Sequence, residues 1–150
     1  MERKWGFISN IVARDWRKLS QFYETVFDCV RVPPERNLSG KWLEKGTGVV
    51  NAELSGVQLR LPGHGDTGPT LEVFQYAENE KRLPPAANRE GICHLAFEVD
   101  NVAESIEEVL ANGGHKVGEV TSFNVEGTGT ISFVYIADPE GNVIELQAFD

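Results

Sequence analysis

Hydrophobic and polar positions alternate along this chain in two periods. From Trp16 to Phe27, apolar residues recur at helical spacing, through Leu19, Phe22, Tyr23 and Val26. Asp15 stands just before them as an N-cap. Val102, Ile106, Val109 and Leu110 repeat the pattern, and the "NGG" at 112–114 stops it. Elsewhere the period is two or the run is short and apolar, as strands require. The pattern predicts strands at 28–33, 49–55, 57–62 and 70–76 before residue 77. It predicts others at 115–121, 130–137 and 143–149 after residue 90.

The chain also repeats itself. "FISNIVARD" at 7–15 aligns with "CHLAFEVDN" at 93–101, each a strand running into a helix. "GPTLEVF" at 68–74 aligns with "GNVIELQ" at 141–147, pairing Glu72 with Glu145 and Ile8 with His94. The predicted order is β-α-β-β-β twice, as a first module at 5–76, a linker at 77–90 and a second module at 91–149, within one domain spanning 1–150. The first module is longer by a polar insert at 33–48, expected to form a loop with a short helix. "DPEGN" at 138–142 signals a turn before the last strand.

Strand parity assigns each side chain to a face. His94 shares a face with Ala96 and Glu98, while Cys93, Leu95, Phe97 and Val99 form the stripe expected to pack on the helices. Gln58 and Arg60 face away from Val57, Leu59 and Leu61. Glu72 and Phe74 face away from Leu71 and Val73, and Glu145 and Gln147 from Ile144 and Leu146. Asn10 shares the face of Ile8. A solvated sheet face gives the same alternation. The set holds an imidazole, two carboxylates, a guanidinium, amides and a Phe, which is the mixture that lines pockets.

Composition narrows the classes. With 41% hydrophobic and 25% charged residues, the chain reads as globular. A net charge of −9 argues against nucleic acid as a partner. No apolar run reaches membrane-spanning length and no signal-peptide core opens the chain, so a cytoplasmic protein without membrane contact is expected. The two cysteines, Cys29 and Cys93, form no framework.

The tandem repeat, with "D-W-x-K-L-x-x-F-Y", "H-L-A-F-E-V-D" and "D-P-E-G-N-V-I-E-L", resembles the glyoxalase/bleomycin-resistance/extradiol-dioxygenase superfamily, the vicinal oxygen chelate fold. That resemblance implies an α+β fold of two βαβββ modules, a curved mixed sheet or half-barrel with helices outside. It implies a homodimer and a small-molecule ligand. Four family ligand positions fall on Ile8, Glu72, His94 and Glu145, three of which can bind a metal. The set implies Zn, Ni, Mn or Fe, and the glyoxalase-type members imply a lyase or isomerase. Such an enzyme would act on a small carbonyl or hydroxy-acid compound, with Glu145 or Glu72 moving the proton. Arg60, Phe74, Asn10, Gln58 and Trp42 are the expected substrate contacts, Arg60 through a carboxylate-matching fork and Trp42 as a lid. The alternative within the superfamily is a protein that sequesters a toxin or antibiotic without chemistry.

Overall fold

A computed structural model describes residues 6–150; the start of the first module at Trp5 lies outside the described residues. The chain divides into two compact units, Met1–Lys81 and Arg82–Asp150. Each carries a mixed sheet with a long helix on one face; in the first unit a short helix also packs on the other face.

In the first unit, β1 (Ile8–Val12), α1 (Trp16–Phe27), β2 (Val30–Ser39), α2 (Lys41–Thr47), β3 (Glu53–Arg60) and β4 (Thr70–Tyr76) build a sheet ordered β1-β4-β3-β2. The outer pair β1–β4 is parallel, and the others are antiparallel. Asp15 caps α1, its carboxylate accepting from the Lys18 amide at 3.2 Å. The Trp16 amide, another orphan of the first turn, donates to Gln75 Oε1 at 3.1 Å. Trp16, Leu19, Phe22, Tyr23 and Phe27 are buried, and α1 lies on β3 and β4. It covers Val57, Leu59, Leu71 and Val73, all at most 2% exposed.

The insert forms its expected short helix, α2, but is a strand rather than a loop before it. Residues 30–39 form one strand with a register shift between Val32 and Arg36, and 49–52 form the turn that precedes a single strand β3. The prolines at 33 and 34 carry no amide hydrogen, so the ladder breaks there and resumes. At Gly56 a Cβ would stand 2.1 Å from the Val73 carbonyl oxygen and 2.8 Å from Phe74 Cδ1. Only glycine lets the Phe74 ring lie against that backbone.

The second unit contains β5 (His94–Glu98), α3 (Val102–Ala111), β6 (His115–Lys116), β7 (Thr121–Val125), β8 (Gly129–Ala137) and β9 (Val143–Phe149). Its sheet runs β5-β9-β8-β6, with β7 also paired to β8. Again the outer pair, β5–β9, is parallel. Asn101 caps α3 by accepting from the Glu104 amide at 3.0 Å. Val102, Ile106 and Val109 pack toward β8 and β9, over Val134, Ile136, Ile144 and Leu146. The expected strand at 115–121 is two residues of β6 and the first of β7. The β7–β8 hairpin was not expected, since no strand was assigned between 121 and 130. Leu95 and Phe97 are half-buried rather than core, since β5 is the sheet edge.

The linker is shared out. Asn79 accepts from the Tyr76 amide and donates to the Ala13 carbonyl, tying 77–81 to the first unit. Arg82 donates to Asn142 Oδ1 at 2.6 Å in the second. The turn before β9 is built on Asp138, which is fully buried. Its carboxylate accepts from the Glu140 and Asn142 amides at 2.9 and 3.0 Å and from Asn142 Nδ2 at 2.7 Å. Removing it strands three donors, at about 1–3 kcal/mol for a buried one. Asp138→Ala therefore lowers unfolding free energy by roughly 2–4 kcal/mol. Urea titration reads this; a loss under about 0.5 kcal/mol, the ordinary surface range, contradicts it.

Candidate functional site

Apart from Trp42 on α2, the candidate residues lie on the sheet faces away from α1 and α3. In the second unit, cross-strand register puts Ala96, Glu145 and Tyr135 in one row, and His94, Val143 and Ala137 in the next. His94 reaches diagonally along the sheet, and its Nε2 lies 3.1 Å from Glu145 Oε2. The side chains are 26% and 15% exposed. The other carboxylate oxygen accepts from Gln147 Nε2 at 2.9 Å, so both oxygens are held. His94 Nδ1 is buried without a hydrogen-bond partner among the described residues. A proton there would be a stranded donor, so the proton of the neutral ring belongs on Nε2, shared with Glu145.

Tyr135 completes the pair's surroundings. Its ring centroid lies 4.8 Å from that of His94, tilted by 47°. Burial first, then the Glu145 carboxylate and Cys93, push its phenol above the ordinary value. The hydroxyl thus remains a donor to higher pH than a free phenol. Cys29, pushed up to about 12 by burial with Asp28 and Glu24 nearby, is no nucleophile.

The first unit has the same frame with one change. Asn10, Glu72 and Gln58 form one row, and Ile8, Thr70 and Arg60 the next. Ile8 therefore occupies the place of His94, and Glu72 that of Glu145. Ile8 is exposed, and Glu72 is half-buried. Gln58 donates to Thr70 Oγ1 at 2.9 Å and accepts from Arg36 Nη2 at 2.8 Å. Arg36 also donates to the Pro34 carbonyl. Arg60 stands 3.7 Å from Asp66, itself nearly fully exposed, a pairing worth little. Asn10 is exposed on the outer strand. Phe74 packs on a small cluster of Leu43, Ala52 and Leu54 rather than standing open, because Gly56 gives it room. Trp42 is 62% exposed on α2. A depression of about 290 Å³ beside α2, lined by Lys41, Glu44 and Asn51 among others, includes none of these residues.

The sequence-predicted set is thus joined as His94 with Glu145, and as Gln58, Arg60 and Glu72 on neighbouring rows. Among the described residues, no group of three or more His, Cys, Asp or Glu side chains could hold a metal ion. Tyr135 and Arg36 were missed. Both rows of β8 carry large apolar residues, so its parity names no face, and Arg36 lay in a segment read as loop.

A model of the glyoxalase-like domain matches residues 8–147. The chain belongs to the glyoxalase-like domain family. The match runs across both units, and the motifs that close each repeat lie within it. Solved structures share the fold. A glyoxalase family protein from Bacillus cereus is 20% identical, with 99% of this chain and 94% of that chain covered and a TM-score of 0.74. The genomically encoded fosfomycin resistance protein FosX from Listeria monocytogenes, in its tetragonal form, is 17% identical, with 100% and 94% covered and a TM-score of 0.59. The same protein has been solved complexed with Mn(II) and sulfate, with 15% identity, 100% and 95% coverage and a TM-score of 0.55. No curated protein sequence matches. Among the described residues, no helix is long and apolar enough to cross a membrane.

The phenol gives a pH test. With its pKa raised in the folded state, Tyr135 favours folding below pH 10.0, the ordinary value, and that contribution is lost as pH rises above it. In an ultraviolet titration, Tyr135→Phe removes one phenol that ionises above the ordinary value. Glu145→Gln brings that phenol's midpoint down. An unchanged midpoint in Glu145→Gln contradicts the assigned surroundings.

Proposed function

We propose that this chain is a glyoxalase-type lyase or isomerase that uses a divalent cation on a small carbonyl or hydroxy-acid compound. One observation carries the reading, the contact between His94 Nε2 and Glu145 Oε2 at 3.1 Å. Two ligands at about 2.1 Å from one ion, subtending about 90–110°, stand about 3.0–3.4 Å apart. The pair therefore fits two neighbouring ligand positions of one ion. The candidate ions are Zn, Ni, Mn and Fe, which accept such a nitrogen–oxygen set. Two donors are too few for a firm site; Glu72, on the first unit, is the remaining carboxylate that the family ligand positions name. The Mn(II) complex of a fold relative supports the choice of a divalent ion.

When bound, the ion polarises a carbonyl or enediolate oxygen as a Lewis acid. The protein's residues do the rest. Glu145 takes the proton from the carbon beside that oxygen, and Gln147 keeps its carboxylate aimed. Glu72 is the second carboxylate able to return a proton. Tyr135, still protonated at neutral pH, donates to a substrate oxygen. Arg60 grips an anionic substituent once Asp66 is displaced, and Gln58, held by Arg36 and Thr70, presents its amide beside Glu72. Asn10, Phe74 and Trp42 shape the periphery. Localisation in the cytoplasm goes with this reading.

A specific observation favours a second reading. Ile8 stands where the other unit has His94, and no three-donor group occurs among the described residues. A chain whose metal site has decayed would bind and sequester a small toxin or antibiotic instead.

Metal uptake decides between them. Protein purified without chelator, then titrated with Mn²⁺, Ni²⁺ and Zn²⁺, should take up one ion per chain and melt higher when ion is in excess. Binding through Nε2 moves the single proton of the neutral imidazole to Nδ1. His94→Ala and Glu145→Gln should each weaken uptake by more than the roughly tenfold lost with an outer-shell partner. A wild-type protein that takes up no ion hands the chain to the sequestering reading.

A further inference from the structure

The open face of the second unit carries more than the polar pair. On β8 the side chains of Ile131, Phe133 and Tyr135 alternate onto this face, and register adds Phe123 from β7 opposite Ile131. The Phe123 and Phe133 rings meet edge to face at 5.8 Å and 90°. Phe133 and Tyr135 follow at 6.1 Å and 68°, and Tyr135 leads to His94 at 4.8 Å. These are attractive geometries. They make one continuous aromatic file from a rim at Phe123, which is 48% exposed, to the deeper His94–Glu145 pair at 26% and 15%. Phe133 and Tyr135 are half-buried. Nothing in the packing of the unit needs this row, because the helix-facing row of Val134, Ile136, Ile144 and Leu146 already supplies the core.

We propose that this face selects a small substrate with a flat aromatic body and adjacent carbonyl and hydroxyl oxygens. Phe123, Phe133 and Tyr135 receive the body, and His94 and Glu145 receive the oxygens. The inference rests on the reading above and names its substrate class. The direction is set by polarity. The oxygen-binding groups lie at the inner end of the file, so the ring of the ligand points outward along the Phe residues. A ligand of that shape covers the exposed aromatic edge and supplies oxygens where the floor is polar. An aliphatic compound with the same head leaves the Phe file in water.

The test uses matched neutral probes on the whole chain without added metal. 2-Hydroxyacetophenone and hydroxyacetone have the same head and differ in phenyl against methyl. Affinities are read by calorimetry, with ring resonances of His94 and Tyr135 followed by NMR. Wild type should bind the phenyl compound at least about tenfold tighter and shift both rings. Phe123→Leu and Phe133→Leu, which keep an apolar side chain and so the fold, should reduce that ratio to about threefold or less. Equal affinities in wild type overturn the proposal. A preference that survives both variants overturns it too, since the ring then binds elsewhere. Aromatic resonances that move with protein concentration alone overturn it in favour of a second copy covering the face. Because no metal is added, a failure of metal uptake leaves this comparison intact, and the two readings fail separately.

Discussion

In each unit the first and last strands lie side by side and parallel, and this pairing sets everything else. Parallel neighbours cannot be joined by a tight turn, so the helix and the remaining strands form the crossover between them. The opening residue of the first strand then sits two positions short of the closing glutamate across the ladder, as His94 does before Glu145. Long side chains on diagonal positions are within reach of each other. The contact is thus a property of topology, while its chemistry depends on which residue opens the strand.

That dependence explains why the two units differ in what they can do. Their frames are the same row by row, yet Ile8 gives the first unit a carboxylate without an imidazole. Its polar groups are organised through an amide relay from Arg36 through Gln58 to Thr70. The second unit has the imidazole, both carboxylate oxygens held, and a phenol kept protonated by burial and charge. The imidazole, the held carboxylate and the phenol are thus gathered in the second unit, while the guanidinium of Arg60 stands in the first.

Much of this was legible in the residues. Both helices, their Asx caps and the turn at "DPEGN" follow from local rules that tertiary packing did not override. The alignment of Ile8 with His94 and of Glu72 with Glu145 is matched by the ladders. Strand parity named the faces wherever one row was polar. It was silent on β8, where Ile131, Phe133 and Tyr135 alternate with Val134 and Ile136, so that both rows carry large apolar residues. It had no purchase at 33–39, where two prolines suggest a loop although the chain stays extended. Phe74 keeps the face parity gave it, but it is covered there by the Leu43, Ala52 and Leu54 cluster, with Gly56 opposite leaving room for its ring.

The central claim is that His94 and Glu145 together grip one cation. Nitrogen NMR of the imidazole ring during a zinc titration tests it most directly. The account predicts that Nε2 of His94 loses its proton and moves to the shift of a metal-bound nitrogen, while Nδ1 becomes the protonated site. If zinc leaves the His94 nitrogens unmoved at saturating concentration, or if they move equally in Glu145→Gln, the grip does not exist and the glyoxalase-type chemistry falls with it.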